Sequence, residues 1–467
     1  MDEKLFFSFN AWRLGRFQVP PETVRRDIHD RGMKYLREPE ILILSGLRQT
    51  GKSTLLFQMI ADLLAGDRVP PERIFYFTFD DFSLRQELSA SHGAFLTIMD
   101  RLLGGPVADQ PKLYVFIDEV QKLPGFVEYI KALYDLRLPV KWILTGSAAL
   151  ELKAQVRESL AGRVIHLTIS PFSEEEILRG YGLPTPDKTG LWRRFFSGND
   201  PDLLELKKIQ ASLLPHRAVI DRFAEEAILF GSLPAVALAR DRERKQTLLA
   251  NYRNTYLDQD VRSLVREDKL WVYQRVMELL AGRVGDLLNF STIAAQLEVT
   301  VDTVKRYVML LEKTFLLRIL TTCSRNIRNG VLKTPKTYFT DLGIRNVLVG
   351  LTSLAQMERL NHFGVTLENA VVNRISHRAV FADESVHLHY WRTKAKEEVD
   401  LVIATPDRLL PIEIKSDKRI QARHLRGLRR FLDKEKERTG ILVGRFDDVD
   451  LIEEAGTRIY LLPFWML

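Results

Sequence analysis

The chain has 467 residues, of which 46% are hydrophobic and 28% charged, a balance typical of a folded protein with room for about three domains. Its single cysteine, Cys323, excludes an internal disulfide framework and a multi-cysteine metal site. The sequence has no run of about 18 apolar residues, and its first residues carry acids where a secretory leader needs basic groups. We therefore expect no membrane span and a cytoplasmic location, while the net charge of +7 favours polyanionic partners.

The first strong pattern follows a helical lead-in and is that of a phosphate-binding loop. Ile41–Leu44 is an apolar run typical of a buried parallel strand, and Gly46-x-x-x-x-Gly51-Lys52-Ser53 comes directly after it. Glycines let consecutive backbone N–H groups turn toward an anion, and the N-terminus of the following helix adds partial positive charge. We predict that ATP is bound by Gly46, Leu47, Arg48, Gln49, Thr50, Gly51, Lys52, Ser53 and Thr54.

The chemistry of ATP hydrolysis needs further groups beside this loop. Lys52 has the length and charge to reach the β- and γ-phosphates, and Ser53 offers a hydroxyl to Mg²⁺. A second buried strand, Leu113–Ile117, ends in Asp118 and Glu119, at the edge where parallel sheets bind ligands. We predict that Asp118 holds Mg²⁺ and that Glu119 polarises the attacking water.

Two later positions are candidates for contact with the γ-phosphate. Ser147 ends a third buried strand and is the preferred residue there, with Thr145 as the alternative and an ordinary turn as the plain explanation. Arg163 precedes another strand and is a candidate arginine finger, although a surface arginine fits the pattern equally well. Strands alternate with helices up to residue 171, which predicts an α/β core with a parallel sheet.

A helix-turn-helix is predicted after a mostly helical stretch. In Asp286–Val308, Ser291 is the expected N-cap of the first helix and Asp302 that of the second. The second helix has an apolar side, and its polar side carries the candidate DNA contacts Thr303, Lys305 and Arg306. Winged helices also serve as protein-contact modules, so the fold alone does not fix this role.

A second candidate site is predicted in the C-terminal part. Glu413 and Lys415 alternate on one strand and so share a face, where Asp400 of the neighbouring strand can meet them. The two carboxylates suit Mg²⁺, Lys415 is placed to orient or deprotonate a metal-bound water, and Glu368 of the preceding helix completes the set. An inactive domain of the same fold, kept for binding, is the alternative.

A basic helix is predicted beside this site. Residues 414–440 carry ten Lys or Arg against four Asp or Glu. Arg423, Arg426 and Arg430 lie on one face, opposite a leucine stripe. This arrangement suits contact with a phosphate backbone, and a plain solvated face is the alternative.

These motifs resemble a known family. Gly-Leu-Arg-Gln-Thr-Gly-Lys-Ser, Phe-Ile-Asp-Glu-Val-Gln, Leu-Thr-Gly-Ser and Leu-Ala-Gly-Arg are similar to those of a family of prokaryotic AAA+-type ATPases. Gly231-Ser-Leu-Pro234 and Pro335–Asp341 resemble its connecting motifs, with Ser232 where the family usually has glycine. The resemblance covers nearly the whole chain and implies Asp118, Glu119 and a strand-end sensor in their usual roles. It implies a helical lead-in at 1–39, an AAA+ P-loop core at 40–171, a helical lid at 172–285, a winged helix at 286–350 and a restriction-endonuclease-like α/β domain at 355–467.

The resulting hypothesis is a Mg²⁺-dependent ATPase that acts on DNA, with a nuclease-like C-terminal domain. Nucleotide state is expected to change the angle between core and lid, which moves the DNA-contacting modules. The first rival is a regulatory switch whose C-terminal domain only docks to a partner. The second is a helicase-like homo-oligomer in which an arginine is supplied in trans.

Overall fold

The computed structural model describes residues 2–17, 19, 23–66, 68–91, 93–146, 160, 162–185, 188–256, 261–262, 264–323, 334–382 and 385–467. Contacts divide the chain into two compact units. The first unit is Met1–Ser170 with Lys313–Phe315, and the second is Pro171–Glu312 with Leu316–Leu467. None of the described helices combines the length and the apolar character needed to cross a membrane.

The first unit is built on a five-stranded parallel sheet. Its strands are β1 Ile41–Gly46, β2 Ile74–Thr78, β3 Leu113–Asp118, β4 Val140–Gly146 and β5 Val164–Ile169, in the spatial order β2-β3-β4-β1-β5. β1 and β2 are buried along their whole length, as expected for apolar strands of a parallel sheet. The helices are α1 Glu3–Phe9, α2 His29–Tyr35, α3 Lys52–Ala65, α4 Phe82–Ala90, α5 Ala94–Leu103 and α6 Phe126–Asp135. The predicted α/β core is confirmed.

The lead-in covers one edge of this sheet. β2 is an edge strand of the sheet, and the backbone N–H of Tyr76 donates to Asn10 Oδ1 at 2.8 Å. Asn10 Nδ2 donates in return to the Tyr76 carbonyl at 2.9 Å, and Trp12 Nε1 donates to the Ile74 carbonyl at 3.2 Å. Side chains thus pair an edge that would otherwise present open backbone groups.

The second unit begins with helices, as predicted. They are α7 Glu174–Gly180, α8 Thr189–Ser197, α9 Leu203–Leu213, α10 Arg217–Phe230, α11 Pro234–Ala237, α12 Arg242–Thr255 and α13 Leu270–Gly282. Ser173 and Glu176 form a capping box that starts α7.

The predicted helix-turn-helix is formed by α14 Phe290–Leu297 and α15 Val301–Lys313. Its caps lie two residues earlier than expected. Asn289 Oδ1, rather than Ser291, accepts from the Thr292 N–H at 3.0 Å. Thr300 Oγ1, rather than Asp302, accepts from the Thr303 N–H at 3.2 Å. The same chemistry applies, since Asn and Thr cap helices as Ser and Asp do.

An eight-stranded mixed sheet completes the second unit. Its strands are β6 Leu317–Thr322, β7 Lys336–Phe339, β8 His387–Arg392, β9 Glu398–Ala404, β10 Leu409–Lys415, β11 Thr439–Gly444, β12 Asp450–Glu454 and β13 Thr457–Pro463. The order is β12-β13-β11-β10-β9-β8-β6-β7. Its helices are α16 Leu342–Leu348, α17 Leu354–Arg359, α18 Phe363–Val380 and α19 Arg426–Glu435. β6 pairs in parallel with β8, so β6 and β7 belong to the same sheet as the C-terminal strands. The boundaries proposed at 172, 286 and 355 remain predictions within one compact unit.

The two connecting motifs meet in this unit. The Asp341 carboxylate accepts from the backbone N–H groups of Ser232 at 2.6 Å, Leu233 at 3.1 Å and Ile344 at 3.1 Å. Complete burial raises the pKa of Asp341 to about 6, although these hydrogen bonds favour the charged form. One carboxylate therefore joins the turn after α10 to the start of α16.

Candidate functional site

The phosphate-binding loop lies between β1 and α3. Gly51 has φ of 85°, a left-handed conformation that glycine adopts readily, and a Cβ on Gly46 would overlap the Ile169 carbonyl oxygen. Lys52 begins α3, and its Nζ donates to the carbonyls of Gly46 at 3.2 Å and Leu47 at 2.9 Å. Both glycines are thus required by geometry, and Lys52 Nζ lies beside the loop carbonyls.

The loop has a neighbour that the sequence pattern did not identify. Arg26 is buried, and its guanidinium donates to the Thr50 carbonyl of the loop and, at 2.7 Å, to the Ser170 carbonyl. Thr50 Oγ1 also donates to the Leu47 carbonyl at 2.8 Å. An arginine 20 residues before the loop gave no signal in the motif, since its contact depends on tertiary packing.

Asp118 ends β3 at the same edge of the sheet, and both its oxygens are held. Tyr76 Oη donates to Asp118 Oδ2 at 2.9 Å, and Thr145 Oγ1 donates to Asp118 Oδ1. Burial, with the negative charge of Asp118, raises the pKa of Tyr76, so the phenol stays protonated. The donor set of Asp118 and Ser53, carboxylate and hydroxyl oxygens, suits Mg²⁺.

Glu119 follows in a left-handed backbone conformation, with φ of 56°. Its N–H donates to Thr145 Oγ1 at 3.2 Å, and its carboxylate accepts from Gln121 Nε2. An unusual backbone angle at this point fits a functional position. Thr145, the alternative in the sequence analysis, is thus tied to both acids, whereas Ser147 lies outside the described residues.

Arg163 lies at the end of the sheet where the parallel strands begin, opposite the end that carries the phosphate-binding loop. Its carbonyl accepts from the N–H of Ile41, the first residue of β1, whereas the loop follows the last residue of that strand. A strand of six residues separates the two ends by about 17 Å. Arg163 Nη2 pairs with Asp135 Oδ1 at 3.2 Å. Arg163 thus lies far from the phosphate-binding loop of its own chain, and its predicted role as an arginine finger stays a proposal.

The C-terminal acids come together as predicted. Lys415 Nζ pairs with Glu413 Oε1 at 2.6 Å and with Asp400 Oδ2 at 3.4 Å. The Ile414 N–H also donates to Asp400 Oδ2, at 2.9 Å. Burial and the charge of Asp400 raise the pKa of Glu413 to about 8. In the described part of the chain, Glu413 Oε2 is buried without a hydrogen-bond partner. Two neighbouring carboxylates, Asp400 and Glu413, have the oxygen ligands that divalent ions such as Mg²⁺ prefer.

Glu368 has partners on β7, and its charge also interacts with Asp400 and Glu413. Its predicted role as a metal ligand stays a prediction. Its Oε1 accepts from Tyr338 Oη at 2.6 Å and pairs with Lys336 Nζ at 3.2 Å. Lys336, itself buried, also pairs with Glu398 Oε1 at 2.5 Å. Burial raises the pKa of Glu368 to about 7, and the charge of Lys336 opposes that rise. Lys336 and Tyr338 alternate on β7, so both side chains lie on the face of that strand that contacts Glu368.

The predicted DNA contacts lie on exposed faces. In α15, Val304, Val308 and Leu311 are buried, whereas Lys305 and Arg306 are exposed; Thr303 is partly exposed. In the C-terminal part, Leu425, Leu428 and Leu432 are buried, whereas Arg423, Arg426 and Arg430 are exposed. Arg430 Nε pairs with Glu397 Oε2 at 3.4 Å. Both amphipathic patterns are therefore present, with their basic sides toward solvent.

Three family models match the chain. Residues 38–178 match an AAA domain, residues 222–355 match a domain of unknown function, DUF8612, and residues 363–466 match another, DUF4143. The first match contains the phosphate-binding loop, Asp118 and Glu119.

Relatives occur in distant prokaryotes. An uncharacterized protein of Mycobacterium tuberculosis is 26% identical over 392 residues, which are 84% of this chain and 74% of that protein. An uncharacterized protein of Haemophilus influenzae is 25% identical over 381 residues, 80% of this chain and 82% of that protein. The Aeropyrum pernix ORC1 protein, solved in complex with DNA, aligns at 16% identity over 74% of this chain and 97% of its own, with a TM-score of 0.28.

Proposed function

We propose, from the premise that residues 38–178 are an AAA-type ATPase domain, that this chain is a Mg²⁺-dependent ATPase acting on DNA. The observation that carries the proposal is the grouping of Lys52, Asp118, Thr145 and Glu119 at the carboxyl edge of one parallel sheet. Ligands of open α/β sheets bind at that edge.

The roles follow from the chemistry of each group. Lys52 leaves the loop carbonyls to bind the β- and γ-phosphates. Glu119 accepts a hydrogen bond from the attacking water, with its carboxylate oriented by Gln121. Ser53 and Asp118 hold Mg²⁺, which when bound neutralises developing phosphate charge.

Replacing Lys52 tests the ATP site. Lys52→Ala is expected to lower ATP turnover on the order of 100-fold, because a preorganised charge on the phosphates is lost. Lys4→Ala, an exposed lysine of the same unit, is the control and should keep normal turnover. Equal turnover in the Lys52→Ala variant and the wild-type protein would refute the assignment.

Action on DNA is supported by the exposed basic sides of α15 and α19 and by the net charge of +7. ATP turnover measured with single-stranded, duplex, forked and junction DNA should rise with at least one form. If none of the four DNA forms changes ATP turnover, that result favours the rival regulatory switch.

Arg163 lies at the end of the sheet opposite the phosphate-binding loop, and we propose that it acts on a neighbouring subunit in a homo-oligomer.

A second activity, Mg²⁺-dependent DNA cleavage, is favoured by one observation in the C-terminal cluster. Glu413 Oε2 is a buried carboxylate oxygen without a partner in the described residues, beside Asp400 and Lys415. Buried polar atoms usually have partners, so this oxygen suits a ligand. Glu413→Gln is expected to abolish cleavage while ATP turnover persists. Cleavage that survives would place the nuclease activity elsewhere.

A further inference from the structure

Tyr76 connects the edge of the sheet to the acid of the ATP site. It lies in β2 with its side chain almost fully buried, and its hydroxyl donates to Asp118 Oδ2 at 2.9 Å. Its ring packs on Phe57 of α3, with centroids 4.8 Å apart and planes 35° apart. The phenol is therefore fixed by the helix that follows the phosphate-binding loop.

The backbone of Tyr76 is fixed by a residue of the lead-in. Asn10 is fully buried and makes two hydrogen bonds to it, one to the N–H and one to the carbonyl. A carboxamide offers one acceptor and two donor hydrogens, so it reproduces the pairing of a neighbouring strand. Asn10 lies well before residue 38, where the AAA match begins.

We propose that Tyr76 is a positioning residue of the ATPase and that Asn10 acts through it, so that the lead-in controls the rate of hydrolysis. The proposal rests on the proposed ATPase function. Asp118 must present its oxygens in one orientation, and the hydroxyls of Tyr76 and Thr145 hold one oxygen each. Groups that orient a metal-binding carboxylate affect metal affinity and activity, although they do not bind the metal themselves.

Tyr76→Phe tests the first step because it removes only the hydroxyl and keeps the ring on Phe57. The loss of an outer partner of a metal site typically lowers metal affinity or activity about 10- to 100-fold. We expect kcat for ATP to fall by about 10-fold and the Mg²⁺ concentration for half-maximal turnover to rise, while binding of ATP measured without turnover stays close to that of the wild-type protein.

Tyr129→Phe is the matched control. Tyr129 also lies in the first unit, and its hydroxyl accepts from the Phe95 N–H at 3.1 Å. This variant loses one hydrogen bond of the same unit and should keep the wild-type kcat and Mg²⁺ dependence. If the wild-type protein does not hydrolyse ATP, the proposed function fails. If it does and Tyr76→Phe behaves like Tyr129→Phe, only the present inference is overturned.

A double-mutant cycle tests the second step. Asn10→Ala leaves backbone groups of Tyr76 without their partner and is expected to lower kcat on its own. In the Tyr76→Phe background the same change should lower kcat no further, because contacting residues that act as one unit are not additive. Thermal unfolding of the wild-type protein, the two single variants and the double variant shows whether a loss of stability explains a lower kcat. Additive losses in kcat would contradict action through Tyr76.

Discussion

Gly231 has φ of 74°, and a Cβ on it would overlap Asp341 Oδ1, so two separate constraints require glycine at this position. Gly350 has nearly the same φ, 71°, with open space where its Cβ would lie. Gly231 also has ψ of −167°, a backbone region that is essentially restricted to glycine, so it combines a special conformation with a close approach to a buried carboxylate.

We predict that Gly231→Ala destabilises the protein more than Gly350→Ala. A sparsely populated backbone conformation costs a non-glycine residue about 1 to 3 kcal/mol, and Gly231→Ala in addition displaces the carboxylate that caps α16. Thermal unfolding of both variants beside the wild-type protein checks this. Equal shifts in the unfolding midpoint would contradict the prediction.

At this scale the sequence was most informative where residue type dictates chemistry. The glycines, the lysine and the acids of the ATP site were predictable because phosphate binding needs those residue types at that spacing. Lys336, Tyr338 and Asn10 were not, since a lysine or an asparagine on a strand or in a turn is usually solvated. Their partners lie about 30 to 66 residues away, and only packing brings them together.

At the scale of elements, buried ion pairs join α7 to α18. Lys188 Nζ pairs with Glu174 Oε2 at 3.1 Å, Arg374 Nη2 pairs with the same oxygen at 3.4 Å, and Arg378 pairs with Glu175. All of these charges have little exposure to water. Replacing one partner of such a pair leaves the other charge buried and uncompensated. This lowers stability more than the loss of a surface ion pair does.

Glu175 makes this link sensitive to acid. Burial would raise its pKa, but the positive charges of Arg378 and Lys188 outweigh burial and lower the pKa to about 2. Because the pKa is lower in the folded than in the unfolded protein, the stabilisation is present above pH 4.5 and is lost as the pH falls toward 2. We expect Glu175→Gln to be less stable than the wild-type protein at neutral pH.

The comparison across pH is the decisive measurement. The difference in unfolding midpoint between wild-type protein and Glu175→Gln should shrink as the pH falls from 4.5 toward 2. Glu225→Gln, at an exposed position of α10, is the control and should differ little from the wild-type protein throughout. A difference that stays constant over this range would contradict the role assigned to the ion pair.

Elements were predictable where their pattern is local. The strands of the core and the helix-turn-helix follow from apolar periodicity and capping residues. The pairing of β6 with β8 was not predictable, since Thr321 and His389 meet across 68 residues. No local pattern indicates that the hairpin of β6 and β7 continues a larger sheet, because such pairing depends on long-range contacts.

At the scale of the whole molecule, the proposed binding of DNA rests on charge rather than on the fold. Within the C-terminal part, residues 414–440 carry ten Lys or Arg against four Asp or Glu, and Arg423 and Arg426 are exposed beside the strand that ends in Lys415. Contact with phosphates releases counterions, so affinity for DNA should fall steeply with salt. A protein that uses this surface only to dock to another protein is not expected to bind DNA with an affinity that falls steeply with salt.

Charge reversal at Arg426 separates these two readings of the surface. If Arg426 contacts one phosphate, Arg426→Glu should weaken DNA binding and reduce the slope of log affinity against log salt by about 0.9. Arg244→Glu, at an exposed position of α12, changes net charge equally and should alter the slope little if DNA lies along α19. Equal effects would indicate that only overall charge matters. A shallow slope in the wild-type protein itself would favour the regulatory switch, because phosphate contacts cannot form without releasing ions.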